Sequence, residues 1–196
     1  MARDFVTIVS GLPRSGTSLM MQMLGGGGMP LLTDGVRLAD EDNPRGYFEF
    51  EPVKRTKTDS AWLADARGKA VKMVYVLLRD LPPAHSYRVI LMRRDLREVV
   101  ASQGAMLQRT GKAGAGLSEA QMAGIFAREM TAIIQWLRSQ PNFTVLEVEH
   151  SACLRSPREV ANALNAFVGG GLDESAMAAA VDPALYRRSR ISAVLS

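Results

Sequence analysis

The segment from Phe5 to Leu24, FVTIVSGLPRSGTSLMMQML, restricts the possible folds of this chain more than any other stretch. Its first residues are apolar and β-branched, which is typical of a buried strand, and a loop bounded by Gly11 and Gly16 interrupts them. Leu and Met then recur at helical spacing from Thr17 onward. The segment therefore predicts a strand, a tight loop and a helix in direct succession.

A loop of this kind is suited to bind an anion. The first backbone N–H groups of a helix have no intrahelical partner, and the helix dipole adds positive potential at the same end. Gly11 and Gly16 permit the backbone angles that such a nest requires, and Thr17 and Ser18 add hydroxyl donors. The alternative is that the two glycines only make a tight turn, but the coincidence of loop, Arg14 and paired hydroxyls favours a phosphate cradle.

The spacing of the two glycines is also that of the loop that binds nucleoside triphosphates, in which a lysine follows the second glycine. In this chain Thr17 occupies the lysine position, and Arg14 supplies a positive charge from inside the loop. An ordinary ATP or GTP hydrolase is therefore disfavoured.

The sequence LPRSGTS, preceded by a strand, resembles the 5′-phosphosulfate loop of the sulfotransferases, whose donor is 3′-phosphoadenosine 5′-phosphosulfate (PAPS). The form with arginine is similar to that of the tyrosylprotein branch and of many small bacterial members. The resemblance implies that Arg14 stabilises the charge on the transferred group. It also implies a donor-binding set in this loop: Pro13, Arg14, Ser15, Gly16, Thr17 and Ser18.

A second motif joins the apolar run YRVILM at 87–92 to RRDLREVVAS at 93–102. Asp95 is suited to cap a helix that begins there. In the sulfotransferases an Arg and a Ser at this separation bind the 3′-phosphate of the donor, so the resemblance assigns Arg94 and Ser102 to that phosphate. The alternative is an ordinary amphipathic helix with solvated arginines, but the presence of the first loop favours binding.

Two acidic residues are candidates for the catalytic base. Asp34, followed by Arg37, is in register with the acid and arginine of the tyrosylprotein-like sulfotransferases, so the resemblance implies that Asp34 takes the proton of the acceptor. Glu49 lies in NPRGYFE, a segment that recurs in small bacterial sulfotransferase-like proteins. Partial desolvation by its aromatic neighbours would let Glu49 accept a proton near neutral pH, whereas a solvent-facing Glu49 would be inert. The choice between the two acids stays open.

Three further features have two interpretations each. His150 follows a predicted strand, where the family has a Tyr-x-Asp-Leu-like segment, and it is either a substrate contact or a structural residue. Residues 110–117 form either a lid over the acceptor or a connector. The C-terminal arginines either reach the 3′-phosphate of the donor or form a solvated tail: Arg187, Arg188 and Arg190.

Strands that alternate with helices predict a P-loop-type three-layer α/β sandwich, in which helices flank a mainly parallel central sheet. The strands are expected at residues 5–10, 71–78, 87–92 and 143–148, and a helix is expected over 53–66. Ser118 and Gln121 match a capping box at the start of a long amphipathic helix. The 196 residues predict one domain, 1–196, because this length supports one core more readily than two.

Charge and composition restrict the classes of ligand and partner that this protein could bind. The net charge of +4 is modest and the acids are interspersed with the bases, which suits a small polyanion better than nucleic acid. We expect a cytoplasmic protein without membrane association, because the N-terminus resembles no signal peptide and no apolar run is long enough to span a bilayer. Cys153 is the only cysteine, so an intrachain disulfide is impossible, and no metal-ligand spacing is present.

The sequence therefore predicts a PAPS-dependent sulfotransferase that uses PAPS as co-substrate, needs no metal and acts on a hydroxyl or amine of a small-molecule or peptide acceptor. Two alternatives remain. One is a P-loop nucleotide kinase-like phosphotransferase, which would need ATP and Mg²⁺, and the other is a catalytically silent nucleotide-binding module.

Overall fold

The central element of the structure, a computed structural model that describes residues 3–40, 43, 45–109, 111 and 116–182, is a parallel sheet. Its strand order is β2-β3-β1-β4-β5, and every neighbouring pair is parallel. The expectation of a mainly parallel central sheet is confirmed. The strands are β1 (Val6–Gly11), β2 (Leu31–Leu32), β3 (Ala70–Lys72), β4 (Tyr87–Arg93) and β5 (Phe143–Glu149).

Helices cover both faces of this sheet. Successive side chains of a strand point to opposite faces, so Ile8 of β1 packs in the core that includes α2 and α3, whereas Val9 packs against α1, α5 and α6. This arrangement confirms the predicted three-layer α/β sandwich. The helices are α1 (Thr17–Gly26), α2 (Leu96–Arg109), α3 (Glu119–Ser139), α4 (His150–Arg155), α5 (Pro157–Phe167) and α6 (Glu174–Ala179).

The local sequence signals at helix starts are confirmed. Asp95 Oδ1 accepts hydrogen bonds from the backbone N–H groups of Arg97 at 2.8 Å and Glu98 at 3.3 Å, as an N-cap side chain does. Ser118 and Gln121 exchange the two reciprocal bonds of a capping box at the start of α3. These signals hold because each depends only on residues a few positions apart.

The strand predicted over 71–78 is wrong beyond Lys72. β3 ends there, and a 3-10 helix, Tyr75–Asp80, follows it. Tyr75 and Leu78, one turn apart, are buried, whereas Val76 between them is 52% exposed. The apolar run is therefore buried as a turn of helix, a pattern that a run of uniformly apolar residues does not distinguish from a strand.

The single helix predicted over 53–66 is also wrong. Two short 3-10 helices, Glu51–Arg55 and Ala61–Asp65, replace it. The chain turns between them because the backbone N–H groups of Thr58 and Asp59 both bond to the carbonyl oxygen of Arg55. The two-residue strand β2 was not predicted, since it is too short to show a period.

Several expectations stay predictions. Arg187, Arg188 and Arg190 lie outside the described residues, as do positions 110 and 112–115 of the predicted lid. The single domain 1–196 is likewise a prediction. Within the described ranges, no helix is long and apolar enough to cross a membrane, and no group of three or more His, Cys, Asp or Glu side chains is arranged to hold a metal ion.

Candidate active site

The loop between β1 and α1 lies at the carboxyl edge of the middle strand of the sheet and is tightly constrained. Arg14 has a φ of 68° and Gly16 a φ of 99°, both in the left-handed region. A Cβ atom on Gly11 would lie 2.5 Å from Ser15 Oγ and 2.8 Å from the carbonyl oxygen of Met92, so only glycine fits there. The predicted strand–loop–helix succession is confirmed.

The loop presents unpaired amides at the start of α1. The first hydrogen bond of the helix runs from Met20 N to Gly16 O at 3.1 Å, so the preceding amides, from Thr17 to Leu19, have no intrahelical acceptor. Gly16 is the N-cap and carries no side chain to occupy them. The binding of an anion by these amides stays a prediction.

The two sequence motifs meet at this loop. Arg14 Nε donates to Ser102 Oγ at 2.9 Å, and Arg94 Nη1 donates to the carbonyl oxygen of Arg14 at 3.0 Å. Arg94 Nε also pairs with Glu98 Oε2 at 3.0 Å. The contact arises because β4, which precedes Arg94, is the direct neighbour of β1 in the sheet. The structure thus brings Arg14, Arg94 and Ser102 into one cluster, and their binding of a donor stays a prediction.

The other predicted loop residues have different surroundings. Pro13 is exposed, whereas Ser15 is 1% exposed and its backbone N–H donates to the carbonyl oxygen of Leu12 at 3.1 Å. Ser18 Oγ accepts a hydrogen bond from Asn43 Nδ2 at 2.8 Å, a contact that ties the NPRGYFE segment to α1. Ser15 and Ser18 therefore have structural contacts that the loop motif alone did not predict.

A second cluster of charged side chains surrounds Glu49. Its Oε1 accepts from Arg37 Nη1 at 2.8 Å and lies 3.8 Å from Lys72 Nζ. The Arg37 guanidinium carbon lies 3.3 Å from the centroid of the Tyr47 ring, a cation–π contact, and Lys72 Nζ donates to the Tyr47 carbonyl oxygen. Glu49 is therefore half-buried between two cations and not freely solvated.

Lys72 is a candidate functional residue that the sequence analysis missed. Burial lowers its pKa to about 8; Glu49 opposes this shift and Arg37 adds to it. Lys72 falls within the buried strand predicted over 71–78, and its side chain is only 14% exposed. A lysine within an otherwise apolar strand was the available signal, because an amine there needs a polar partner or a function.

Asp34 has a different environment from Glu49. Its Oδ2 accepts from Glu51 N at 2.5 Å and its Oδ1 from Val36 N at 3.0 Å, and these two backbone bonds lower its pKa. Asp34 N in turn donates to the carbonyl oxygen of Glu49 at 3.1 Å. Asp34 thus connects the segment that carries Arg37 to the segment that carries Glu49 through backbone hydrogen bonds. Arg37, which the resemblance implies as the cation that assists Asp34, pairs with Glu49, and the roles of Asp34 and Arg37 stay predictions.

His150 lies beside the loop, at the first position of α4. It is 8% exposed, and a Cβ atom on Gly16 would lie 2.4 Å from its Cδ2, so the imidazole is packed directly against the loop. Burial lowers the pKa of His150 to about 4; Arg94 lowers it further, and Glu98 opposes both. The neutral imidazole is therefore the stable form at neutral pH.

The strand order separates these groups into two sides. The loop follows β1 in the middle of the sheet. Lys72 at the end of β3, together with Glu49, lies on the β2–β3 side, whereas Arg94 after β4 and His150 after β5 lie on the opposite side. Fold and site thus define an α/β protein with a glycine-bounded loop at the N-terminus of α1, an arginine cluster on one side of it and an acid–lysine pair on the other.

Several solved structures with a similar fold are sulfotransferases. The sulfotransferase domain of the curacin biosynthetic pathway is 14% identical, with a TM-score of 0.56 over 93% of this chain and 84% of that one. The sulfotransferase domain of the Synechococcus PCC 7002 olefin synthase is 13% identical, with a TM-score of 0.56 over 99% and 93%. A mouse sulfotransferase complexed with PAP (adenosine 3′,5′-bisphosphate, the spent form of PAPS) is 15% identical, with a TM-score of 0.56 over 97% and 65%.

This chain has a sulfotransferase-like fold. The resemblance inferred from the two motifs is confirmed at that level, because the matched structures share the fold over nearly the whole chain. Comparisons with protein-family models and with curated protein sequences gave no match.

Proposed function

We propose that the protein is a sulfotransferase that moves a sulfuryl group from PAPS to a hydroxyl or amine of a small-molecule or peptide acceptor. The observation that carries this proposal is the position of the anion-binding loop between two unlike clusters. Arg94 and Ser102 lie on one side, and Glu49 and Lys72 lie on the other. Such an asymmetric site suits a donor with phosphate groups at both ends, which needs cations, and an acceptor that must lose a proton, which needs a base.

On the donor side, the free amides of α1 and the guanidinium of Arg14 face the 5′-phosphosulfate. The side chain of Arg14 is held by Ser102 and its carbonyl by Arg94, so its cation is oriented before the ligand arrives. Groups that need no reorientation stabilise developing charge more effectively than mobile ones. Arg94 and Ser102 bind the 3′-phosphate, which lies further toward β4.

On the acceptor side, Glu49 takes the proton of the attacking hydroxyl or amine. The acceptor atom forms a bond to sulfur in line with the bond that breaks, and that bond's electrons leave with the 5′-phosphate of PAP. Arg37 and Lys72, 2.8 Å and 3.8 Å from Glu49 Oε1, add positive charge near the transferred group. Asp34 is the alternative base, but its two backbone hydrogen bonds favour a role in holding the segment around Glu49.

The test measures thermal unfolding with PAP, with ATP–Mg²⁺ and with adenosine 5′-monophosphate as a control that lacks the 3′-phosphate. At 100 times its Kd a ligand stabilises a protein by about 2.7 kcal/mol, so PAP should raise the Tm by roughly 5–10 °C. Adenosine 5′-monophosphate should stabilise less. Stronger stabilisation by ATP–Mg²⁺ would point to a phosphotransferase instead.

Turnover is tested by incubating the protein with PAPS and panels of hydroxyl and amine acceptors and by quantifying the PAP released. An acceptor-dependent release of PAP is expected. Tight binding of PAP without release in any panel would identify a silent nucleotide-binding module and contradict the proposed activity.

A further inference from the structure

His150 is a buried histidine that borders the proposed donor site and has no part in the transfer described above. Its Cδ2 is packed against Gly16, at the N-terminus of α1, and it follows β5, the strand next to the one that ends before Arg94. The imidazole therefore lies on the cationic side of the loop, the side assigned to the 3′-phosphate.

The charges that face His150 favour its neutral form in the absence of ligand. From the β4–α2 segment, Arg94 repels a proton on the imidazole and Glu98 attracts one. The loop contributes Gly16, which has no side chain, and one turn along α4 the buried thiol of Cys153 has its pKa raised to about 12, so it is uncharged. A strong anion placed here would reverse this balance.

We propose that His150 is a proton-linked contact of the donor, neutral in the free protein and protonated when the 3′-phosphate occupies the side of the loop that carries Arg94. The inference rests on the proposed function, because it takes an adenosine 3′-phosphate as the ligand. The proton comes from the solvent when the nucleotide binds and returns to it when PAP leaves.

The physical reason is the sign of the added charge. A dianion within a few ångströms stabilises an imidazolium, whereas Arg94 alone destabilises it. If the phosphate returns the pKa of His150 to the ordinary value of about 6.5, PAP should bind about tenfold more tightly at pH 5.5 than at pH 8 through this group alone. Product release should become faster as the pH rises.

The direct test is an NMR pH titration of the imidazole signals between pH 3.5 and 8.5, with and without saturating PAP. The chain has 2 histidines, so His85, at the opposite edge of the sheet before β4, is an internal control that a His85→Phe variant assigns. We expect PAP to raise the pKa of His150 from about 4 toward the ordinary value of about 6.5, whereas the chemical shifts of His85 should not respond to PAP. An unchanged His150 signal in the presence of bound PAP overturns the inference.

Calorimetry provides the second measurement. The affinity for PAP is compared at pH 5.5 and pH 8 for the wild type, for His150→Phe and for His150→Gln, which keeps a polar side chain but cannot titrate. In both variants the affinity for PAP should lack the change with pH that His150 causes in the wild type. The ionisation of the phosphate itself affects all three proteins equally, so it cancels in the comparison. Equal pH dependence in all three contradicts the inference and leaves the proposed function intact. A wild-type protein that binds no PAP at any pH overturns both, and if the variants fail to fold, the NMR titration decides.

Discussion

The acid–lysine pair gives the sharpest quantitative expectation, namely that Glu49→Gln lowers the pKa of Lys72. Lys72 Nζ lies 3.8 Å from Glu49 Oε1. Burial already lowers the pKa of Lys72 to about 8, and the carboxylate of Glu49 prevents a larger decrease. Glutamine keeps the size of the side chain and removes its charge, so the ammonium loses its nearest anion.

The magnitude follows from the separation of the charges. Two unit charges 3.8 Å apart interact by about 1–4 kcal/mol for effective dielectric constants between roughly 80 and 20. The side chains are 14% and 23% exposed, so solvent screens them only in part. That energy corresponds to about 1–3 pKa units. Lys72 in the variant should therefore be largely neutral at pH 7.5.

The measurement is the pH dependence of lysine acetylation by acetic anhydride at limiting reagent, quantified for each lysine by mass spectrometry. Glu51→Gln is the matched control, because Glu51 Oε1 lies 2.5 Å from Lys54 Nζ and should alter Lys54 instead. Glu49→Gln should also slow the release of PAP from PAPS without weakening PAP binding. A pKa of Lys72 that is the same in both variants would refute the assignment of Glu49 and Lys72 as a coupled pair.

Three further predictions concern the loop and its surroundings. Arg14→Ala should lower turnover by at least about 100-fold, measured as PAP released from PAPS, because the oriented cation is lost; wild-type turnover would exclude its role. Gly16→Ala should lower the free energy of unfolding, measured in urea, by roughly 2–4 kcal/mol, because Gly16 has a positive φ and an added Cβ would meet His150. The control is Gly104→Ala in α2, where an added Cβ would have no neighbouring atom within 4 Å, so this variant should be as stable as the wild type or more stable. Equal free energies of unfolding for the two variants would contradict the packing of His150 against Gly16. The pKa of His150 is about 4 in the folded protein, below its value in the unfolded chain. Its contribution to the free energy of unfolding should therefore be fully present above pH 6.5 and should be lost, by at most roughly 3 kcal/mol, as the pH drops to 4. His150→Phe should lack this decrease, and urea titrations at each pH test it.

The residues of the proposed donor side could be identified from short motifs because each motif is local. Arg14 occupies a loop whose geometry depends on the two glycines that bound it, and Arg94 follows directly from an apolar strand and precedes a capped helix. What the motifs did not contain is the contact between them, the hydrogen bond from Arg94 to the Arg14 carbonyl oxygen across 80 positions of sequence. Adjacent pairing of β1 and β4 creates that contact.

The cluster proposed for the acceptor side depends on contacts that no local pattern specifies. Arg37 was expected to assist Asp34, three residues away, but it pairs with Glu49, which is twelve residues away. Lys72 belongs to another strand, and it reaches Glu49 only because β3 lies between β1 and β2. The uniformly apolar residues after Lys72 also concealed the end of the strand, since burial alone does not distinguish an extended segment from a 3-10 turn.

The sequence by itself determined the succession of strand, glycine-bounded loop and helix and the parallel α/β class, and it identified the residues of the two basic motifs. These follow from backbone preferences and hydrophobic periods that act over a few neighbouring residues. Only the tertiary structure decided which acid faces the buried lysine, and it alone placed His150 against the loop. Both depend on the order of strands in the sheet, a property of long-range packing that short stretches of the chain do not encode.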